Sequence, residues 1–394
     1  STSVVMNAER LPLGIARAWV KGLPTGALSL QTSLTGNRGE TTGSFEVRAD
    51  DLQLADAKGG KAAKGRASVR GSLSGGSLDA SGDASIADGI AADFSARIPL
   101  TVPAGQLSVR MPAEGALAGR VRLNVDLAVV AQALAFSDQR LAGRLNADFA
   151  AGGSLQRPEL TGSAVLSNGF YENFVTGTLL TAIDGQVQMA TGKVVTVSLN
   201  ALTKGQGNIA VNGQADLSAQ HGPAIDMTVT AHQALLVHRD DVNAVIDASL
   251  RYQGGLTRGS LTGKVEPVSI EVRLLDRLPP SVVVIPVTEI NRQGGNKQGH
   301  EKQDASAAPW VADLEIDIEM PRRVFVRGRG LESEWSGRLH VGGSTNTPQL
   351  TGTIEAIRGV FTFASKRFDV QKGIITFTGG EPIDPILNIA ATYR

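Results

Sequence analysis

Asp313-Leu314-Glu315-Ile316-Asp317-Ile318-Glu319-Met320 alternates acidic and apolar residues without a fault. Successive side chains of a strand point to opposite faces, so this stretch presents one acidic face and one apolar face. A helix would scatter both sets around its circumference, so the segment reads as a β-strand. The same period recurs in Val195-Thr196-Val197-Ser198-Leu199 and in Met227-Thr228-Val229. Val268-Ser269-Ile270-Glu271-Val272-Arg273-Leu274 and Leu387-Asn388-Ile389-Ala390 repeat it. Gly205-Gln206-Gly207-Asn208, Gly254-Gly255 and Gly379-Gly380 separate the runs and read as turns.

A larger unit occurs twice. Gly143-Arg144-Leu145, Gly153-Ser154 and Pro158-Glu159-Leu160-Thr161-Gly162 return about 190 residues later. The second copy is Gly337-Arg338-Leu339, Gly343-Ser344 and Pro348-Gln349-Leu350-Thr351-Gly352. Reuse of a strand, a Gly turn and a Pro-marked strand start points to a stacked architecture. With ~15 residues per strand and turn, the chain supplies about 26 short strands, too many for one small barrel. Stacked at ~4.8 Å they extend on the order of 120 Å. The expected fold is all-β: an elongated, stacked or coiled sheet, a β-taco or open β-helix-like groove with an apolar interior. The Ala/Leu/Val spacing of 12–20 and 127–136 predicts one or two short helices. The polar, unpatterned stretch 291–309 predicts a flexible insertion. Residues 1–140 read as N-terminal β repeats and 141–394 as a β-groove, together one continuous elongated structure truncated at both ends.

Composition narrows the chemistry. The 394 residues include 46 glycines and no cysteine, and only 4% are aromatic. Without a three-residue period, the glycines read as turns between many strands. Absence of cysteine removes disulfides, thiolate catalysis and thiolate metal sites. Lys+Arg and Asp+Glu both number 38, so net charge gives no attraction to nucleic acid. No apolar run of ~18 residues spans a bilayer, and the opening Ser1-Thr2-Ser3-Val4-Val5 lacks the regions of a signal peptide.

A search for catalytic groups finds little. His221, His232, His238, His300 and His340 form no His-x-x-x-His pair and have no acidic neighbour at ligand spacing. No nucleophile elbow, phosphate loop or dinucleotide fingerprint occurs, so neither enzyme chemistry nor a cofactor is expected. The acidic face Asp313, Glu315, Asp317 and Glu319 lacks the loop glycine and closing Glu of a calcium loop. It reads instead as half of a cross-strand charge pairing on a solvated face, with the basic run 322–329 as partner. Arg327-Gly328-Arg329-Gly330 reads as a turn. What remains is the apolar strand face, which suits either a closed sandwich or β-helix core or an open sheet that holds acyl chains.

The order of several further motifs carries a resemblance. Asn168-Gly169-Phe170-Tyr171, Asp184-Gly185 and Gly207-Asn208-Ile209-Ala210-Val211-Asn212-Gly213 follow the first repeated unit. Gly359-Val360-Phe361, Arg367-Phe368-Asp369-Val370, Gly373-Ile374-Ile375-Thr376-Phe377 and Ile383-Asp384-Pro385-Ile386-Leu387-Asn388-Ile389-Ala390-Ala391 follow the second. Together they resemble the TamB C-terminal domain family, within the AsmA-like bridge-type lipid transport proteins, most densely from Leu141 onward. The resemblance implies a β-taco with a hydrophobic groove in the periplasm of a Gram-negative envelope. It implies phospholipid transport between the two membranes, with an inner-membrane anchor outside this sequence. It also implies outer-membrane protein assembly with a TamA-like barrel partner; a β-augmentation scaffold without lipid carriage is the alternative. Phospholipid acyl chains would then lie on Val195, Val197, Leu199, Ile209, Val211, Met227 and Val229. The same lining would continue through Val268, Ile270, Val272, Leu314, Ile316 and Ile318, and through Phe361, Phe363, Ile375, Phe377, Leu387 and Ile389.

Overall fold

Alternating runs closed by tight turns can satisfy their backbone only by pairing with their neighbours in sequence, and they do so hairpin after hairpin. The computed structural model describes residues 2–13, 25–37, 40–53, 64–103, 109–133, 136–218, 222–275 and 310–393. The first strands are β1 (Thr2–Pro12), β2 (Thr25–Asn37), β3 (Glu40–Gln53), β4 (Lys64–Ser74), β5 (Ser77–Ile86), β6 (Ile90–Pro99) and β7 (Ala118–Asp126). One helix, α1 (Leu127–Ala133), then precedes β8 (Gln139–Gly153), β9 (Pro158–Asn173), β10 (Thr178–Gly192), β11 (Val194–Thr203), β12 (Asn208–Asp216) and β13 (Ala224–His238). The remainder is β14 (Val242–Gly254), β15 (Arg258–Arg273), β16 (Val311–Gly328), β17 (Leu331–Gly343), β18 (Pro348–Phe363), β19 (Lys366–Thr378) and β20 (Ile386–Tyr393).

The chain divides into two units, Ser1–His238 with Ile246–Arg251, and Arg239–Val245 with Tyr252–Arg394. In the first, β1 to β13 form an antiparallel meander in which each strand pairs with the next. In the second, β16 to β20 do the same, and β15 joins β16 in parallel. The fold is thus nearly all β, an open sheet with a single short helix among the described residues, as the alternation predicts. The helix expected at 127–136 is α1; Pro12 ends β1, and the rest of the 12–20 segment lies outside the described residues apart from Leu13. The insertion 291–309 also lies outside them. A parallel pairing of consecutive strands requires a crossover of a dozen or more residues, so the long segment between Arg273 and Val311 has a topological reason to exist.

The described residues hold 20 strands, the longest being the 18-residue β16. One expectation needs correction. Many glycines lie inside strands rather than at turns. Gly71 sits opposite Phe45, Gly82 opposite Phe94 and Gly162 opposite Phe149. A Cβ on Gly82 would lie 2.6 Å from Phe94 Cε1, and one on Gly162 would lie 2.6 Å from Phe149 Cδ1. The missing side chain lets the aromatic ring lie across the neighbouring strand instead of standing up from the sheet.

The doubled sequence unit is the same hairpin built twice, once in each unit. Gly153 pairs with Pro158 across β8–β9, and Gly343 with Pro348 across β17–β18. In both turns a serine hydroxyl accepts the backbone N–H three residues on, Ser154 from Arg157 and Ser344 from Thr347, each at 3.2 Å. Both Gly153 and Gly343 have φ of 79°, a left-handed backbone that glycine adopts without strain. Pro158 and Pro348 open their strands, where a missing N–H costs least.

Gly82→Val is expected to destabilise the chain by about 1–3 kcal/mol, because the new side chain must displace Phe94 and meets the Ser68 carbonyl. Gly152→Ala, with open space around it, should be close to neutral. Denaturant unfolding of the two variants measures the contrast, and equal losses would refute the ring-over-glycine account.

Candidate functional site

Uninterrupted register from strand to strand turns local alternation into a continuous surface. Val47, Val69, Gly82, Phe94, Val121, Phe149, Gly162, Met189 and Val195 each lie opposite the next, across β3 to β11. Beside them runs Ala67, Ala84, Ala92, Leu123, Ala147, Ala164, Val187, Val197, Gly213 and Met227. A third row continues with Ile86, Ile90, Val125, Leu145, Leu166, Gly185, Leu199, Val211 and Val229. One whole face of this unit is therefore apolar.

The reverse face is polar by the same register. Arg48, Ser68, Asp83, Asp93, Arg122, Asp148, Ser163, Gln188, Thr196, Gln214 and Asp226 form its central row. Arg122 Nε lies 2.8 Å from Asp93, Arg120 Nε 2.8 Å from Asp148, and Arg97 Nε 2.6 Å from Asp79. The Arg120 hydrogen bond is the main reason the Asp148 carboxyl sits below its ordinary pKa. These pairs are solvent-exposed, so they contribute solubility and register more than stability.

The apolar face is only partly covered by its own side chains. No large side chain is fully buried among the described residues, and the two that reach 0% exposure are the alanines Ala234 and Ala312. Val121, in the middle of the first row, is 42% exposed. A cavity of about 350 Å³ opens on this face, lined by Phe94, Val121, Phe149, Ala151, Leu160 and Met189 among others. A larger hollow of about 1160 Å³ is lined chiefly by the polar face, with Glu46, Arg70, Asp79, Arg97 and Arg120 around it. Its charged groups are already paired, Arg70 with Glu46, Arg97 with Asp79 and Arg120 with Asp148 outside the hollow, so size alone does not mark it as a lipid site.

The second unit carries its own apolar face but fills more of it. Ile316 faces Gly263 and Val341, Ile318 faces Val265 and Leu339, and Ile354 faces Ile375. Met320, Val324 and Trp335 are buried there, with Ile270, Ile318, Val326, Leu339, Ile354, Ala356 and Ile375 packed against them. Trp335 Nε1 donates to Ser333 Oγ at 2.8 Å, so the indole is held without an unpaired polar atom.

Of the residues named from sequence, Val195, Val197, Leu199, Ile209, Val211, Met227 and Val229 all share the open face of the first unit. Ile270, Ile318 and Ile375 border the Trp335 cluster, and Val272, Leu314, Ile316 and Phe377 lie on the same apolar face. Val268 falls at the register shift between Val265 and Ile270. Phe361 lies at one end of the sheet, while Phe363, Leu387 and Ile389 are exposed. Sequence reading missed the stretch from β3 to β10. Arg120-Val121-Arg122-Leu123-Asn124-Val125 does alternate, but Ala and Gly on the apolar side of β4 to β6 dilute the period.

The acidic strand also finds a different partner. The expected basic run 322–329 belongs largely to the same strand, β16, and cannot lie beside its acidic half. His340 of β17 donates from Nδ1 to Asp317 at 2.9 Å, with Nε2 3.6 Å from Glu315. His232 likewise lies 3.1 Å from Asp247. Histidines without acidic neighbours in sequence thus acquire them through register. His221 and His300 lie outside the described residues. Among the described residues no group of three or more His, Asp or Glu is placed to hold a metal ion.

The hydrogen bond to Asp317 raises the His340 pKa; burial opposes it, and the charges of Glu315 and Asp317 add to it. A pKa raised on folding stabilises the fold fully below the unfolded value of ~6.5, and that contribution fades as pH climbs through the folded value. His340→Gln should therefore lower the melting temperature at pH 5.5 more than at pH 8.5. A pH-independent difference would rule out the pairing.

The family model described as the TamB C-terminal domain matches residues 196–394, half of the chain. No solved structure matches. The TamB family is a non-enzymatic transport or assembly module of the Gram-negative envelope that works in general with TamA-like partners. Motif order, open sheet and family match agree: this chain belongs to the TamB C-terminal domain family.

Proposed function

We propose that the apolar face of the first unit holds phospholipid acyl chains, and that the protein conducts lipid across the periplasm between the inner and outer membranes. On this reading it also supports outer-membrane protein assembly together with a TamA-like barrel. The carrying observation is the three-row apolar face from β3 to β13, which the described side chains do not close over.

Exposing a ~16-carbon acyl chain to water costs about 0.8 kcal/mol per methylene, about 12 kcal/mol in all. A sheet face of Val, Leu, Ala and Phe offsets much of that while the headgroup stays in water. Neighbouring strands lie ~4.8 Å apart and present similar side chains, so an acyl chain can advance without meeting one deep well. Glycines beneath the aromatic rings keep those rings low, which leaves the face free of tall obstacles. Direction must come from a gradient or a partner, since an equilibrium surface favours neither end.

The test is lipid analysis of the purified chain by extraction and mass spectrometry. Val121→Arg is exposed enough to fold, yet sets a charge on the acyl path. Bound phospholipid should fall by more than half with the circular dichroism spectrum unchanged. Wild-type protein that carries no phospholipid, or a folded variant that carries as much as wild type, would overturn the reading.

One observation favours the scaffold reading as a second role. Every residue of β20 is exposed, and among the described residues this strand pairs only with β19. Its outer backbone edge can accept a client strand by β-augmentation. A photo-crosslinker at Asn388 should capture peptide if this edge serves assembly, and lipid or nothing if it does not.

A further inference from the structure

One end of the second unit carries a row of four aromatic rings, against the single Tyr252–Trp310 pair among the described residues at the other. Leu331, Phe361, Phe368 and Tyr393 lie opposite one another across β17 to β20. Ring centroids are 6.4 Å apart for Phe361–Phe368 and 5.6 Å for Phe368–Tyr393. Phe363 extends the row outward, stacked on Phe361 at 6.1 Å, and is 65% exposed; Tyr393 is 59% exposed. Such rings ordinarily lie inside a core, and here they edge the apolar face of the sheet.

Cations rim the same end. Arg329 donates to the Leu275 carbonyl, Lys366 Nζ sits 5.3 Å from the Tyr393 ring centre, and Arg367 is exposed beside it. Arg273 and Arg327 face each other in the adjoining row. In that adjoining row Asp240, Asp241 and Glu271 offset the arginines, so the cation excess lies at the aromatic row itself, where Arg329, Lys366 and Arg367 stand against Glu332 and Asp369, each further in along its strand. The opposite end of the sheet carries Asp313, Glu381 and Asp384 against the single described cation Arg258. A zero net charge for the whole chain conceals this polarity.

We infer that this end docks on an anionic phospholipid bilayer, with Phe363 and Tyr393 entering the interface and Lys366 and Arg367 meeting the headgroup phosphates. Amphipathic aromatic rings prefer the headgroup level, where one side is apolar and the other wet. Long basic side chains keep their charge among phosphates while their stems lie on apolar surface. An acidic protein partner would use the rim but leave the exposed Phe363 ring without a role. The inference rests on the lipid reading above, since a docked end would place the apolar sheet face beside the membrane that supplies or receives the acyl chain.

The experiment is flotation of the full chain with vesicles of phosphatidylcholine alone or with phosphatidylglycerol, alongside lipid extraction of the same proteins. Wild type should float with the anionic vesicles and lose that association at high salt. Lys366→Glu/Arg367→Glu should weaken it roughly tenfold or more, since each cation near such a surface contributes measurably. Phe363→Ser should weaken it on anionic vesicles while circular dichroism stays unchanged. The charge variant should still carry co-purified phospholipid, which separates docking from acyl-chain holding. Equal flotation with neutral and anionic vesicles, insensitivity to both variants, or an interaction only with an acidic protein would overturn the docking inference. Vesicle docking by a protein that never carries lipid would instead refute the conduit and leave the docking surface standing.

Discussion

Register is the constraint on which the rest of the molecule depends. Side chains alternate with a period of two, so a slip of one residue between any two strands would carry apolar residues to the polar face. Across β4, β5, β6, β7 and β8 the pairing runs without a shift, and Val69, Gly82, Phe94, Val121 and Phe149 stay in line. The ion pairs on the reverse face, such as Arg122 with Asp93 and Arg97 with Asp79, join residues that the same register sets opposite one another. Each contributes little energy in water, but each is lost on slippage, so together they favour one alignment.

An antiparallel meander of this kind ordinarily closes or packs on a second layer to hide its apolar face. The first unit instead leaves Val121 and its neighbours partly exposed, while the second gathers Met320, Val324 and Trp335 into a small core. That core gives one part of the molecule ordinary side-chain packing. The open face elsewhere needs a covering that the described residues do not supply, and an acyl chain has the right chemistry. Mid-strand glycines serve both ends of this argument: they let the Phe rings cover neighbouring backbone, and they keep the surface low.

Much of this was legible in the residues themselves. Alternation at 313–320 identified a strand, and the paired Pro-x-Leu-Thr-Gly cores marked strand starts at Pro158 and Pro348. The lining residues of β11 to β13 could be read because Val, Leu and Ile stand out against Thr, Ser and Asn. Those of β4 to β6 could not, because alanine and glycine occupy apolar-face positions and carry almost no hydrophobic signal. The His340–Asp317 contact was equally hidden, since no spacing rule links residues joined only by strand pairing.

By itself the sequence determined the β class, the two faces of the strands whose apolar side is Val, Leu or Ile, the repeated Gly-Ser and Pro hairpin and the family, because these follow from period and motif order. Tertiary structure alone decided which strands run parallel, which glycines sit under rings, and which apolar residues are closed in around Trp335 and which stay open. The physical reason is that local propensity acts along the chain, whereas coverage of a face depends on what register and crossover bring against it. Leu314, Ile316 and Ile318 look alike in the alternating strand, yet only Ile318 packs against the buried cluster.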